Sequence, residues 1–360
     1  MNSALRHMPS ILWKRNPIQL TFFLTRRCNS KCPFCFYLKS PDAVNSSREE
    51  LSLDEIRKIS GSIGNLLWLA FSGGEIYLRD DLAEISRTFH DNNRPAIMLF
   101  STNGMLPGII KTKTEQILRE CRSSVIAVKL SVDGVGIKHD VLRATPGSFE
   151  NMLETYRLLE PLLVKYPHFE LGVNTVLCSE NQDDMDAIID FVSGLKSIGT
   201  HTISLIRGNL SDGHYKNVDP KKYLRAISRL EENASKGRAK TYRFRGARIK
   251  AAQDLLQRRL IYRTMLEQKR IIPCYAGRLN LVITETGEVK PCEILVDSFG
   301  NVRDFSYDIG KVVLSARANE IRQFIKKDRC FCTHECYFMT NILFSPGLYP
   351  ALAREYLTCL

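Results

Sequence analysis

Short apolar runs recur along the first part of the chain, separated by stretches whose apolar residues repeat at helical spacing. The run Ile18-Gln-Leu-Thr-Phe-Phe-Leu-Thr25 reads as a first strand. Residues 66–71 then follow a helix near 53–63, 96–101 follow one near 81–92, and 125–131 follow one near 113–121. Residues 169–177 follow a helix over 149–165, and 202–207 follow one over 184–196. No hairpin signal interrupts these steps, so the strands should be parallel and covered by helices. Six steps are too few for a closed eight-unit barrel. The pattern predicts an α/β fold, a partial (β/α)6 TIM-like barrel, with its active site where the strands end.

The rhythm breaks after Gly208. A polar loop leads to two basic helices over 220–233 and 247–269, then to two short strands around a Thr-Gly turn between Leu279 and Cys292. A further helix is expected near 318–327. This divides the chain into a barrel over 1–210, a basic helical connector over 211–272 and a small hairpin-plus-helix unit over 273–360.

Composition narrows the class. With 44% hydrophobic and 25% charged residues, the 360-residue chain reads as globular. No apolar stretch is long enough to span a bilayer, and residues 1–16 lack the layout of a signal peptide. A cytoplasmic location follows as the expectation, and there the eleven cysteines read as metal ligands or free thiols rather than disulfides. The net charge of +12 gathers between Lys216 and Arg270. It reads first as a solvated helix face and second as a contact for an anionic substrate, carrier or membrane surface. No nucleic-acid fold signature accompanies it, so no nucleic-acid partner is expected. The segment Met8-Pro-Ser-Ile-Leu-Trp-Lys-Arg15 is expected to pack across the end of the fold, with contact to a membrane surface as the alternative.

The candidate chemistry begins with Cys28, Cys32 and Cys35, in a loop directly after the first strand. Three close thiolates can hold three corners of a cubic iron–sulfur cluster and leave the fourth iron open, as a catalytic centre requires. Zinc is the alternative, although a structural zinc site takes four protein ligands and no fourth Cys or His is nearby. The polar and glycine-rich strings fall at later strand ends: Phe71-Ser-Gly-Gly-Glu75, Ser101-Thr-Asn-Gly104 and Lys129-Leu-Ser-Val-Asp-Gly134. Adjacent glycines let backbone approach a ligand. Ser101, Asn103, Ser131 and Asp133 supply groups of the kind that fix ribose hydroxyls and amino-acid termini.

In this combination, from Leu20 to about Arg207, the chain resembles the radical S-adenosylmethionine (SAM) enzymes. The resemblance implies a 4Fe–4S cluster on Cys28, Cys32 and Cys35, with the amino and carboxylate groups of S-adenosylmethionine on the open iron. It implies that backbone at Gly73 and Gly74, together with Glu75, holds the amino group. Ser101, Asn103 and Ser131 would contact ribose or carboxylate, with Asp133 a further candidate. Arg143, in Leu142-Arg-Ala-Thr-Pro-Gly-Ser-Phe149, would pair with the carboxylate, and Phe34 would lie beside adenine. The implied chemistry is reductive cleavage to a 5′-deoxyadenosyl radical that takes hydrogen from an unactivated carbon.

A second group, Cys274, Cys292, Cys330, Cys332 and Cys336, lies in the last quarter. The turn at Gly287 should bring Cys274 to Cys292, and two of the later three would complete four thiolates; zinc would accept that set too. The Gly-x4-Cys hairpin resembles the SPASM and Twitch extensions of radical SAM enzymes, which carry auxiliary 4Fe–4S clusters. The shorter cysteine run here implies one auxiliary cluster, with Cys359 available for a second only as the lesser alternative. Cys121 and Cys178 read as core residues. His334, Glu335 and Tyr337 stand among the ligands, as orienting groups or as plain loop residues.

The expected function is hydrogen abstraction from a small polar, sugar or carrier-linked substrate, with the auxiliary cluster supporting net oxidation or rearrangement. Only 27 residues precede Cys28, which is read as too few for a winged peptide-recognition domain. A maturase acting on a ribosomally made peptide is the alternative enzyme, and a zinc-stabilised binding or regulatory protein the alternative from another class. A flavodoxin or ferredoxin is the expected reducing partner.

Overall fold

Six parallel strands lie side by side in chain order in the computed structural model, which describes residues 2–39, 49–236, 242–327 and 330–358. They are β1 Gln19–Thr25, β2 Trp68–Gly73, β3 Ile97–Thr102, β4 Val125–Ser131, β5 Phe169–Leu177 and β6 Thr200–Leu205. The fold is the partial α/β barrel that the apolar rhythm predicts. One row of the sheet, Phe22–Phe71–Phe100–Val128–Leu171, runs in register across five strands and points outward under the helices. Phe71 and Phe100 have ring centroids 5.3 Å apart, and Phe89 on the covering helix meets Phe22 and Phe71 at 6.0 and 5.9 Å. Each such buried ring contributes roughly 1.5–3 kcal/mol through removal from water. The alternate residues face the barrel lumen.

The covering helices are α1 Leu53–Ser62, α2 Leu82–Asn93, α3 Pro107–Glu120, α4 Ile137–Leu142, α5 Ser148–Leu159, α6 Leu162–Lys165 and α7 Met185–Gly194. A reciprocal Ser52–Glu55 capping box starts α1. The single helix expected over 149–165 is two, because Pro161 has no N–H to continue the ladder. Helix α3 starts six residues before the expected 113, with Pro107 in its first turn, where a missing N–H costs nothing.

Beyond β6 come α8 Pro220–Ser235 and α9 Ala247–Glu267, the two expected basic helices. Much of the charge on α8 is met by acidic residues on or just before α7: Lys222 reaches Asp183 at 2.6 Å, Arg229 reaches Asp190 at 2.8 Å, and Arg225 pairs with Asp186. These are exposed pairs worth little singly, but they account for three of the positive charges without a partner molecule. The hairpin forms as expected, from β7 Asn280–Ile283 and β8 Glu288–Lys290, and β9 Gly300–Asn301 follows. It also joins the barrel: β7 runs parallel to β1, Gln19 opposite Asn280, giving the order β6-β5-β4-β3-β2-β1-β7-β8-β9. Helices α10 Ile309–Leu314, α11 Ala316–Lys326, α12 Glu335–Leu343 and α13 Tyr349–Thr358 complete the chain, and α9 packs against both α12 and α13. Among the described residues no helix is long and apolar enough to cross a membrane. The N-terminal 3-10 helix, Ala4–Ile11, buries His7, while Leu5, Met8, Leu12 and Trp13 in and beside it lie on the outside.

Candidate active site

The first cysteine loop leaves β1 at Thr25, where the sheet delivers it to the mouth of the barrel. Hydrogen-bond donors surround its sulfurs. The Ser30 N–H points to Cys28 Sγ at 3.4 Å, the Leu38 N–H to Cys35 Sγ at 3.3 Å, and the Ser30 hydroxyl lies 3.1 Å from Cys32 Sγ. The Asn103 amide adds a long contact to Cys28 Sγ at 3.8 Å. Burial is the main influence on these thiols and raises all three pKa values; the donors and the nearby Arg143 guanidinium pull the other way for Cys32 and Cys35. Among the described residues no three Cys, His, Asp or Glu side chains are drawn together into a metal-holding set. The fit of a cluster is therefore judged on the donor chemistry: three neighbouring thiols, each with an N–H or O–H directed at sulfur, suit thiolate ligation.

The Gly-Gly string has a backbone reason. Gly73, at φ +119°, lies where an added Cβ would stand 2.6 Å from the Thr25 carbonyl, and one on Gly74 would overlap the Arg27 carbonyl. The Gly74 and Glu75 N–H groups donate to the Thr25 and Arg27 carbonyls at 2.7 and 2.9 Å. The end of β2 is thus tied to the entry of the cysteine loop. Glu75 is fully buried and its carboxylate is committed inward: it accepts from the Thr102 hydroxyl at 2.9 Å, the Asn103 N–H at 2.8 Å and the Tyr77 N–H at 3.2 Å. Burial pushes its pKa up to about 7 although those donors oppose it. Glu75 thereby fixes the Thr102-Asn103 end of β3. The Asn103 amide reaches across to Asn29 Oδ1 at 2.8 Å, inside the cysteine loop.

Asp133 and Arg143, both expected near the cofactor, form a buried ion pair at 2.6 Å, and Asp133 also accepts the Val176 N–H at 2.8 Å. Burial disfavours the Arg143 charge, but Cys32 and Asp133 hold it firmly protonated, and among the described residues its Nε has no hydrogen-bond partner. Thr145 was not singled out in the sequence, yet its Oγ1 lies 3.1 Å from the Ser30 hydroxyl and accepts the Lys31 N–H at 3.0 Å. Its place two residues after Arg143 was the available signal. Ser101 lines the lumen, and Ser131 follows on the inner face of β4, opposite Asn174. Phe34 is buried with its ring 6.0 Å from that of Tyr215.

Of the second cysteine group, four border the same space without closing into a metal-holding set. Cys274, Cys292, Cys330 and Cys332 line one apolar cavity with Ile294 and Tyr337. Burial raises the thiol pKa of each, with Cys274 and Cys330 as further raising influences on Cys292 and Cys332. Four thiols around one space suit a closed metal centre. Cys336 does not join them. It lies in the first turn of α12 and lines the barrel lumen instead. Cys121 and Cys178 are fully buried, and Cys359 lies outside the described residues.

A buried polar bridge joins the two regions. The Arg207 guanidinium packs over the Phe36 ring at 4.6 Å and donates to Glu293, the residue after Cys292. His334 Nε2 stands 3.0 Å from the same Glu293 oxygen. Burial would raise the Glu293 carboxyl, but His334 and Arg207 bring it down to about 2. Glu335 accepts the Leu205 N–H at 2.9 Å, fastening α12 to the end of β6. Neither Arg207 nor Glu293 was marked in the sequence; the adjacency of Glu293 to a candidate ligand was its one signal.

Residues 22–192 match the Radical SAM superfamily. The antilisterial bacteriocin subtilosin biosynthesis protein AlbA of Bacillus subtilis is 26% identical over 326 residues, 87% of this chain and 65% of that protein. Pre-heme d1 synthase of Dinoroseobacter shibae is 25% identical over 229 residues, 62% of this chain and 50% of that protein. The chain thus spans about two thirds and one half of these relatives' lengths. The solved structure of anSMEcpe with bound AdoMet and Cp18Cys peptide superposes with a TM-score of 0.60 at 16% identity, covering 96% of this chain and all of that one, a likeness of fold.

Proposed function

The chain belongs to the radical SAM superfamily, and from that premise we propose that it is an oxidoreductase-type enzyme abstracting hydrogen from a substrate held in the barrel lumen. Cys28, Cys32 and Cys35 would hold the 4Fe–4S cluster. The carbonyls beside Gly73 and Gly74, the hydroxyls of Ser101 and Ser131, and the partnerless Nε of Arg143 would hold S-adenosylmethionine. Together these groups, when bound, supply a 5′-deoxyadenosyl radical at the barrel mouth. The protein's part is positional: Glu75 fixes the β3 end, Asp133 fixes Arg143, and the helices over the lumen keep water out. Cys274, Cys292, Cys330 and Cys332 would carry one auxiliary cluster, on a C-terminal unit that begins near 273. A flavodoxin or ferredoxin would supply electrons.

The observation that carries this reading is the convergence of the thiol loop, the Gly-Gly string and the Asn103 amide where β1, β2 and β3 end, at the mouth of a barrel whose lumen holds a cavity of about 160 Å³ lined by strand and helix residues. That space suits a small polar molecule or one residue of a longer one. A peptide substrate is the second reading, favoured by AlbA, whose name places it in bacteriocin biosynthesis and which aligns over 87% of this chain. Anaerobic reconstitution with iron and sulfide, followed by reduction in the presence of S-adenosylmethionine, tests the proposal. Release of 5′-deoxyadenosine is expected; colourless protein holding zinc alone would refute it. Deuterated small molecules and peptides, followed for deuterium in 5′-deoxyadenosine, separate the two substrate readings.

A further inference from the structure

The inner wall of the barrel carries a lysine that the cofactor reading does not use. Lys129 on β4 stands in register with Ser101 on β3 and Gly172 on β5, and Gly172 in turn with Thr200 on β6. Gly172 makes the room: a Cβ there would lie 2.6 Å from both Lys129 Nζ and Thr200 Oγ1. The lysine side chain therefore crosses β5, and its ammonium donates to the Thr200 hydroxyl, with Thr202 Oγ1 at 3.4 Å. Ser131 is two residues further along the same face, about 7 Å nearer the mouth.

The charged groups facing Lys129 do not neutralise it. Glu170 on β5 is occupied by the Arg243 N–H at 2.6 Å. Asp254 on α9 is held by Lys250 and by the Tyr242 hydroxyl at 2.7 Å, while Lys250 and Arg258 add positive charge. Among the described residues no carboxylate lies within ion-pair distance of the Lys129 ammonium. Burial, then Lys250, lower its pKa to about 7. A buried cation without a counter-ion is costly, and this one borders the lumen cavity.

We propose that Lys129 anchors a carboxylate of the substrate, which enters the lumen and supplies the counter-ion that the fold leaves out. This rests on the lumen being the place of hydrogen abstraction. Of the three cations that line the lumen cavity, Arg207 is paired with Glu293 and Lys250 with Asp254, which leaves the charge of Lys129 to match a monoanion. With Thr200 and Thr202 beside it, the anchor fixes which substrate carbon is offered near Ser131, and so acts in specificity.

Competitive labelling of the reconstituted, anaerobic enzyme with acetic anhydride across the neutral pH range, read by mass spectrometry of the Lys129 peptide, tests this. Propionate is expected to shield Lys129 and to move its labelling midpoint upward by about one pH unit or more; propionamide is expected to do neither. Calorimetry should show propionate binding to the parent enzyme and its loss in Lys129→Met. An equal effect of propionamide, a stronger effect of inorganic phosphate, or a Lys129 that never reacts in the folded enzyme would overturn the proposal. Assay of 5′-deoxyadenosine release on the same preparation keeps the two readings apart. Release without a propionate effect removes the lysine anchor alone, whereas no release removes the enzyme reading while the labelling result still scores the anchor.

Discussion

Arg207 donates to one oxygen of Glu293 from both Nε and Nη2, at 3.3 and 3.1 Å, and so links the end of β6 to the loop of Cys292. Because the Arg207 side chain also packs on Phe36, one residue beyond Cys35, the two cysteine regions meet through it. Removing Glu293 strips the carboxylate from both Arg207 and His334, whereas removing Arg207 leaves Glu293 with His334. Glu293→Met should therefore cost about 3–5 kcal/mol, Arg207→Met less, and the double variant less than the sum. A double-mutant cycle by urea denaturation measures this. Simple additivity would show that the bridge contributes no coupling.

The two cysteine groups should separate by metal content. The parent should hold about eight irons per chain, as two four-iron clusters. Alanine at Cys28, Cys32 or Cys35 should remove about four irons and end 5′-deoxyadenosine release; alanine at Cys274, Cys292, Cys330 or Cys332 should remove the other four or so. Cys336→Ala should keep the full complement, because its side chain faces the lumen. Iron loss in Cys336→Ala would place that sulfur on a cluster.

Gly74→Ala should be among the most damaging small changes. The added methyl would overlap the Arg27 carbonyl, which is backbone and cannot swing aside. Displacement of the loop should weaken S-adenosylmethionine binding and lower thermal stability, whereas Gly64→Ala, whose added Cβ meets nothing within 4 Å, should leave binding unchanged. Equilibrium dialysis with labelled S-adenosylmethionine compares the two; equal binding would remove the close-approach argument.

Glu75 predicts a pH dependence of known sign. Its carboxyl moves from an ordinary 4.5 to about 7 on folding, chiefly through burial. Between those values the folded chain keeps a proton that the unfolded chain has released. Stability attributable to this residue therefore falls as pH rises through the window, by roughly 3 kcal/mol in all. The difference in urea midpoint between the parent and Glu75→Ala, followed across that range, should slope accordingly. A difference independent of pH would mean that the buried carboxylate is ionised throughout.

The barrel was legible because its information is local. Each strand–helix step is written in the apolar period of a short window, and the thiol loop, the Gly-Gly string and the Asn-Gly string follow strands that this period locates. What was hidden depends on partners distant in sequence or on helix phase. Spacing treats Cys330, Cys332 and Cys336 alike, but α12 begins at Glu335 and rotates Cys336 away from the extended segment carrying the other two. Arg143 and Asp133 were each expected at the cofactor, yet their mutual pairing follows from a loop that doubles back ten residues later. Lys129 could have been found from strand alternation, since it shares parity with Ser131. The pairing of β7 with β1 joins residues some 260 positions apart, which no window reveals.

That last pairing bears on how the protein is made. Until Asn280 has left the ribosome, β1 has β2 on one side and a bare row of amides and carbonyls on the other. A nascent chain of the first six strands would thus carry an adhesive border, and closure of that border must await the synthesis of β7.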